Sequence, residues 1–178
     1  LVAEQLRVCA GEALGYAQSA ITTQGHSIEL RICAEDPSQG FVPATGTIHL
    51  LREASGPGVR VDSGIHQGQR VGSDFDPLLS KLIVHGRDRR EAIARARQAL
   101  RDTALLGVTT NTAYLDRVLG HPQFAAGDYS TAFLDEQAEV LSGKDEVLSL
   151  DLLMTAAALS DRQLVDAAAS VPAIYAAM

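Results

Sequence analysis

Arginine set among carboxylates is the arrangement in this chain best suited to chemistry. Glu29 and Arg31 lie on one side of an alternating stretch, and Glu35-Asp36-Pro37 follows at once, so acids and a guanidinium crowd one place. A guanidinium of fixed orientation suits planar or anionic groups, because its fork donates two parallel hydrogen bonds and its charge cannot be titrated away. The alternative is a salt bridge within the molecule on a sheet face, and spacing alone favours that plainer use.

Asp74, Asp76 and Lys81 form the next polar group, in SDFDPLLSKLIVHG. Paired acids could bind Mg²⁺ or exchange protons, yet an Asp-Pro step more commonly shapes a turn or helix start, and spacing favours structure. The histidines, at 26, 49, 66, 85 and 121, show no i, i+4 pair and no nucleophile elbow, so each reads as a surface or packing residue. Cys9 and Cys33 form no CxxC pair and have no histidine at zinc-ligand spacing. Neither a metal site nor a disulfide framework is expected, and a reducing, cytoplasmic location follows. The stretch GIHQGQRVG lacks both phosphate-loop patterns, so a nucleotide would be held mainly elsewhere.

The elements that must position these groups are legible in the apolar periodicity. In residues 26–34, Ile28, Leu30 and Ile32 point one way while Ser27, Glu29, Arg31 and Cys33 point the other, the pattern of a half-buried strand with a charged face. Short β-favouring runs at 47–51, 58–62 and 80–85, separated by turns such as Gly56-Pro57-Gly58, predict a small antiparallel meander. Asp88 followed by Glu91 resembles a capping box. Ile93, Ala96, Leu100 and Ala104 then keep one helix face until Gly107, which predicts a helix of about four turns. Asn111 is placed to cap a shorter helix through Leu119, and Ser130 another that carries Phe133 and Leu134. Ahead of the strand, Leu1, Val2, Leu6 and Val8 form the apolar side of an amphipathic helix that begins without Met, as an excised piece of a larger protein would.

These readings give an α+β fold class, a small antiparallel sheet with packed helices, over residues 1–137. Residues 138–178 are expected to form a helical extension toward a following domain, with Ala-rich helices over 148–159 and 160–169 and a second capping box at Ser160 and Gln163. A chain of 178 residues with 46% hydrophobic and 21% charged residues suits one domain with an appendage. The net charge of −7, with its 15 Lys and Arg scattered, argues against a nucleic-acid partner. No apolar run reaches the roughly 18 residues of a membrane span, and Glu4, Gln5 and Arg7 break any signal-peptide pattern, so no membrane partner is expected.

The segment GHSIELRICAEDPSQGFVPATGTIHLL closely resembles the pattern GHAxExRxxAEDP…FxPxxGxI that opens the C-terminal domain of biotin carboxylases, where the fold is of the rudimentary hybrid-motif type. VAEQLRVCAGEALG, GVRVDSGIHQGQRVGSDFDPLLSKLIVHG, REAIARARQAL and GVTTNTAYL agree in order and spacing, so the resemblance covers roughly residues 1–136. It implies a part of the ligase that uses ATP and bicarbonate to carboxylate biotin on a biotin carboxyl carrier domain, the first half-reaction of an acyl-CoA carboxylase. In that family carboxyphosphate releases CO₂ and phosphate, the phosphate takes the ureido N1 proton, and the enolate attacks CO₂. The resemblance makes Arg31 the cation that orients bicarbonate or stabilises the enolate, reversing the preference for a salt bridge. Glu29, Glu35 and Asp36 become supporting residues, and Arg60 a dimer-interface residue, although Pro57 stands where some members carry an aromatic.

The resemblance also implies what lies elsewhere. ATP and its Mg²⁺ or Mn²⁺ belong to an ATP-grasp half, so this piece alone is expected to be inactive and to bind no cofactor tightly. The implied partners are that half, the carrier domain, a carboxyltransferase subunit and a second copy in a homodimer. The Ala-rich tail resembles the extension of acetyl- and propionyl-CoA-type alpha subunits. Two other readings stand beside this one: an assembly or dimerisation module with no chemistry of its own, and the C-terminal domain of another ATP-grasp ligase.

Overall fold

The computed structural model describes residues 1–143. In chain order its elements are helix α1 (Val2–Cys9), strands β1 (His26–Cys33), β2 (Glu35–Asp36), β3 (Val42–Pro43), β4 (Gly46–Thr47), β5 (Leu50–Arg52), β6 (Val59–Ser63), β7 (Arg70–Val71) and β8 (Leu78–Gly86), helix α2 (Arg89–Asp102), strand β9 (Ala104–Leu106), and helices α3 (Thr112–Gly120), α4 (Pro122–Ala126), α5 (Phe133–Glu136) and α6 (Ala138–Leu141). The α+β class is as expected. The tail helices expected over 148–159 and 160–169 lie outside the described residues.

Alternation in β1 does what its pattern requires. Ile28, Leu30 and Ile32 are buried while Glu29 and Arg31 stay exposed. Across the antiparallel ladders Ile28 meets Val84 and Val84 meets Val59, and Leu30, Leu82 and Val61 line up likewise. One face of the sheet is therefore aliphatic, and it packs on Ala92, Ala96, Ala99 and Leu100 of α2. Small alanines let the helix approach the strands closely, which suits the ordinary spacing of helix on sheet.

The meander expected from the run of short strands does not form. The main sheet is three-stranded in the order β1-β8-β6, so β8 enters between strands that precede it in sequence, while β4 pairs with β7 and β5 with β9. β8 carries the longest run buried on one side, with Leu82 and Val84 fully enclosed, and burial on both flanks draws it to the centre.

Helix α2 starts where the capping signal puts it: Asp88 accepts a hydrogen bond from the Glu91 amide at 2.8 Å. The Glu91 carboxylate reaches back one residue further than the usual box, to the Arg87 amide at 2.9 Å. The helix ends at Asp102, short of the expected Gly107, and Ala104 lies in β9. Thr103 turns to extended backbone with its hydroxyl on the Ala99 carbonyl, and Leu105 and Leu106 then pair with Leu51 and Leu50. Gly107, at φ 105°, closes that turn; a Cβ there would strike the Thr47 carbonyl.

Ala34, Ile48, Val71, Leu79 and Val108 form a second core under the short strand pairs. A third joins Tyr114 and Val118 of α3 to Phe133 and Leu141. Ser130 does not cap α5; its Oγ accepts from the Ala132 amide at 3.1 Å, a turn just ahead of the helix. Helix α1 buries none of its residues, leaving Leu1, Val2, Leu6 and Val8 exposed.

Candidate functional site

The face of the sheet turned away from α2 is charged, and the strand registers fix which charges meet. Glu29 stands opposite Ile83, and Ile83 opposite Arg60; in the next row Arg31 stands opposite Lys81, and Lys81 opposite Asp62. Like charges set directly across a strand pair repel. Lys81 is compensated on its other side, its ammonium 3.7 Å from Asp62, and Arg60 grips the same carboxylate with Nε at 2.7 Å and Nη2 at 2.9 Å. That pairing holds the Asp62 carboxyl below its usual range.

Arg31 receives no such compensation. Among the described residues its guanidinium makes no ion pair and no hydrogen bond, and neither does the Glu29 carboxylate. The salt bridge that spacing favoured is absent there, and Asp62, the acid in the same row of the sheet, is engaged by Arg60 and Lys81.

Arg31 lines an open groove with a cavity volume of about 920 Å³. Glu29, Cys33 and Glu35 share its strand side, while Tyr114, Val118 and Leu134 supply an apolar wall. At one end stands Phe41, edge-on to Tyr114 with ring centroids 5.0 Å apart and at φ 63°. A bulky residue in the left-handed region is strained, and here the Phe41 amide bond to the Asp36 carbonyl, at 2.8 Å, helps to hold it. The lining is mostly apolar, with polar groups from the strand side and, opposite, Asp135 and Glu139 of the helices, a make-up suited to an organic ligand.

The other acids have separate tasks. Asp36 accepts from the Ser38 amide at 2.9 Å, the Ser38 hydroxyl at 2.6 Å and the Gln39 carboxamide at 2.6 Å, bonds that hold its carboxyl below the usual range and shape a turn. Asp76 accepts from the Leu78 amide at 2.7 Å, so it also serves a turn. Burial, followed by the negative charge of Glu35, pushes the Cys33 thiol up to about 11.

A family model described as the biotin carboxylase C-terminal domain matches residues 29–136. The chain belongs to that family. It is 42% identical over 136 residues to the biotin carboxylase of a Nostoc species, covering 76% of this chain and 30% of that protein. It is 35% identical over 158 residues to the alpha subunit of the mitochondrial methylcrotonoyl-CoA carboxylase of Mus musculus, covering 88% of this chain and 22% of the subunit. Among solved structures, the biotin carboxylase domain dimer of the Hydrogenobacter thermophilus 2-oxoglutarate carboxylase, in complex with MgADP, ADP and bicarbonate, superposes with a TM-score of 0.72 at 36% identity over 79% of this chain and 31% of that one. The chain thus spans under a third of the length of these relatives.

Of the residues singled out in this biotin carboxylase domain, Glu29, Arg31 and Glu35 meet at the groove. Arg60 lies on the opposite edge strand, and Asp36 is taken up by its own turn. Sequence reasoning missed Asn111, which was expected only to cap α3. It makes no cap bond. Its Oδ1 accepts from the Cys33 amide at 3.0 Å and its Nδ2 donates to the Arg31 carbonyl at 3.1 Å. Nothing in the one-dimensional pattern separates a capping Asn from one that anchors a distant strand. Among the described residues no group of three or more His, Cys, Asp or Glu is placed to hold a metal ion.

Proposed function

We propose that this domain supplies Arg31 as the fixed cation in the active site of a biotin carboxylase, where biotin on a carrier domain is carboxylated at the expense of ATP and bicarbonate. The observation that carries the reading is a guanidinium that makes no ion pair among the described residues, opposite a lysine, at the lip of a ligand-sized groove. When phosphate takes the ureido N1 proton, negative charge moves onto the ureido oxygen. Arg31 would donate hydrogen bonds to that oxygen, and its charge, held in no ion pair among the described residues, favours the enolate over neutral biotin.

ATP and its Mg²⁺ or Mn²⁺ would belong to an ATP-grasp half, and the carboxylated biotin would pass to a carboxyltransferase partner. An acyl-CoA of the acetyl or propionyl type is the acceptor we favour, and Arg60, on the free edge strand β6, the contact to a second copy. The unpaired thiols of Cys9 and Cys33 suit a reducing compartment such as the cytoplasm. A second reading, an assembly module without chemistry, draws on the exposed apolar side of α1.

In the complete carboxylase, Arg31→Ala should cut biotin carboxylation by about 100-fold or more, the loss expected for one fixed transition-state donor. Bicarbonate-dependent ATP hydrolysis, measured alongside, should persist. Unchanged carboxylation would refute the assignment and leave the assembly reading in its place.

A further inference from the structure

The strand end that carries Arg31 is held by one buried side chain. Asn111 is 6% exposed and occupies the N-cap position of α3, where a capping bond typically contributes about 1 kcal/mol. That contribution is forgone, and the side chain turns to the strand instead. Besides its bonds to the Cys33 amide and the Arg31 carbonyl, Nδ2 donates to Glu35 Oε1 at 3.3 Å, and the Asn111 amide donates to the Cys33 carbonyl at 3.2 Å. These bonds fall at an irregularity in β1: its register with β8 shifts between Ile32, opposite Ser80, and Cys33, opposite Leu78, so the ladder is interrupted just past Arg31. A carboxamide offers an acceptor and a donor on one planar group, which a carboxylate or hydroxyl of similar size does not do in this geometry.

We infer that Asn111 is a positioning residue for Arg31: by clamping the peptide groups on either side of the bulge it sets the direction in which the Arg31 guanidinium enters the groove. The inference rests on Arg31 acting as the fixed cation. Glu35 takes part through the same carboxamide, which gives the acid of the Glu35-Asp36 pair that faces the groove a task, while Asp36 closes the adjoining turn.

The test uses the complete carboxylase with Asn111→Ala, Asn111→Asp and, as reference, Arg31→Ala. The quantity to read is the ratio of biotin carboxylation to bicarbonate-dependent ATP hydrolysis, in which any loss of folded enzyme cancels. Asn111→Ala should lower that ratio about tenfold, within the range for a reacting group displaced by a fraction of an ångström, with KM for ATP unchanged. Asn111→Asp keeps the acceptor for the Cys33 amide but cannot donate to Arg31, and should lower the ratio comparably. A wild-type ratio in both variants, with Arg31→Ala still strongly impaired, would make Asn111 a merely structural anchor and overturn the inference alone. A wild-type ratio in Arg31→Ala would remove the functional reading and the inference together.

Discussion

Cys33 offers a chemical probe of the groove that needs no activity. It lies beside Asn111 and two residues past Arg31, and burial together with Glu35 lifts its thiol to about 11 against an ordinary 9.0. Below both values, that difference leaves about 100-fold less thiolate at any given pH. A thiolate of higher basicity is also a better nucleophile, and a Brønsted coefficient of about 0.4–0.5 returns roughly 8-fold. The expected rate of disulfide exchange with an aromatic disulfide reagent is therefore about tenfold below that of a free cysteine, before any further slowing by its half-buried position. The assay would follow Cys9→Ser protein, so that Cys33 is the only thiol, from pH 7 to pH 10. The rate should climb steadily through this range with no plateau, and Glu35→Gln should speed it. A plateau near pH 9 with the rate of a free thiol would show that Cys33 is neither desolvated nor faced by Glu35, and the geometry assigned to this strand end would be wrong.

Leu82 is fully buried at the centre of the sheet, so Leu82→Ala should cost about 3 kcal/mol and lower Tm by roughly 10 °C in a calorimetric scan; a shift under about 2 °C would mean β8 is not central. Arg97 binds Asp116 through two hydrogen bonds of 2.8 and 2.9 Å and holds its carboxyl below the ordinary 3.8. Because the folded value lies under the unfolded one, the folded state binds fewer protons in this range, so the pair's contribution is complete above about pH 4 and fades as pH falls toward the depressed value. The pair is partly exposed, so Arg97→Gln should remove no more than about 1 kcal/mol of stability at neutral pH and flatten the acid limb of a denaturation series. An acid limb as steep as wild type would contradict this.

Local signals in the sequence carried far and long-range ones did not. The alternation of Ile28, Leu30 and Ile32 and the Asp88 cap each concern neighbours in the chain, and both elements form where the pattern places them. The order β1-β8-β6 depends on which distant strand best buries Leu82, which no window of sequence contains. Ala104-Leu105-Leu106 suits a helix face as well as a strand, and only the pairing with Leu50 and Leu51 decides between them. Arg31 is the same case in charge. Its spacing to Glu29 and Glu35 resembles a salt bridge, yet among the described residues it makes no ion pair, and the acid in its row of the sheet, Asp62, is engaged by Arg60 and Lys81. The family resemblance supplied the role proposed for Arg31 where spacing could not, and Asn111 was hidden because a cap and a clamp use the same amide.

The most direct test of the fixed guanidinium is the rate of biotin carboxylation by the complete enzyme with Arg31, Arg31→Lys and Arg31→Ala compared side by side. Lysine keeps the charge but loses the planar fork, so it should recover only part of the loss of about 100-fold expected with alanine. A lysine variant as fast as wild type would mean that any positive charge at this position suffices, and an alanine variant as fast as wild type would mean that Arg31 takes no part in the reaction.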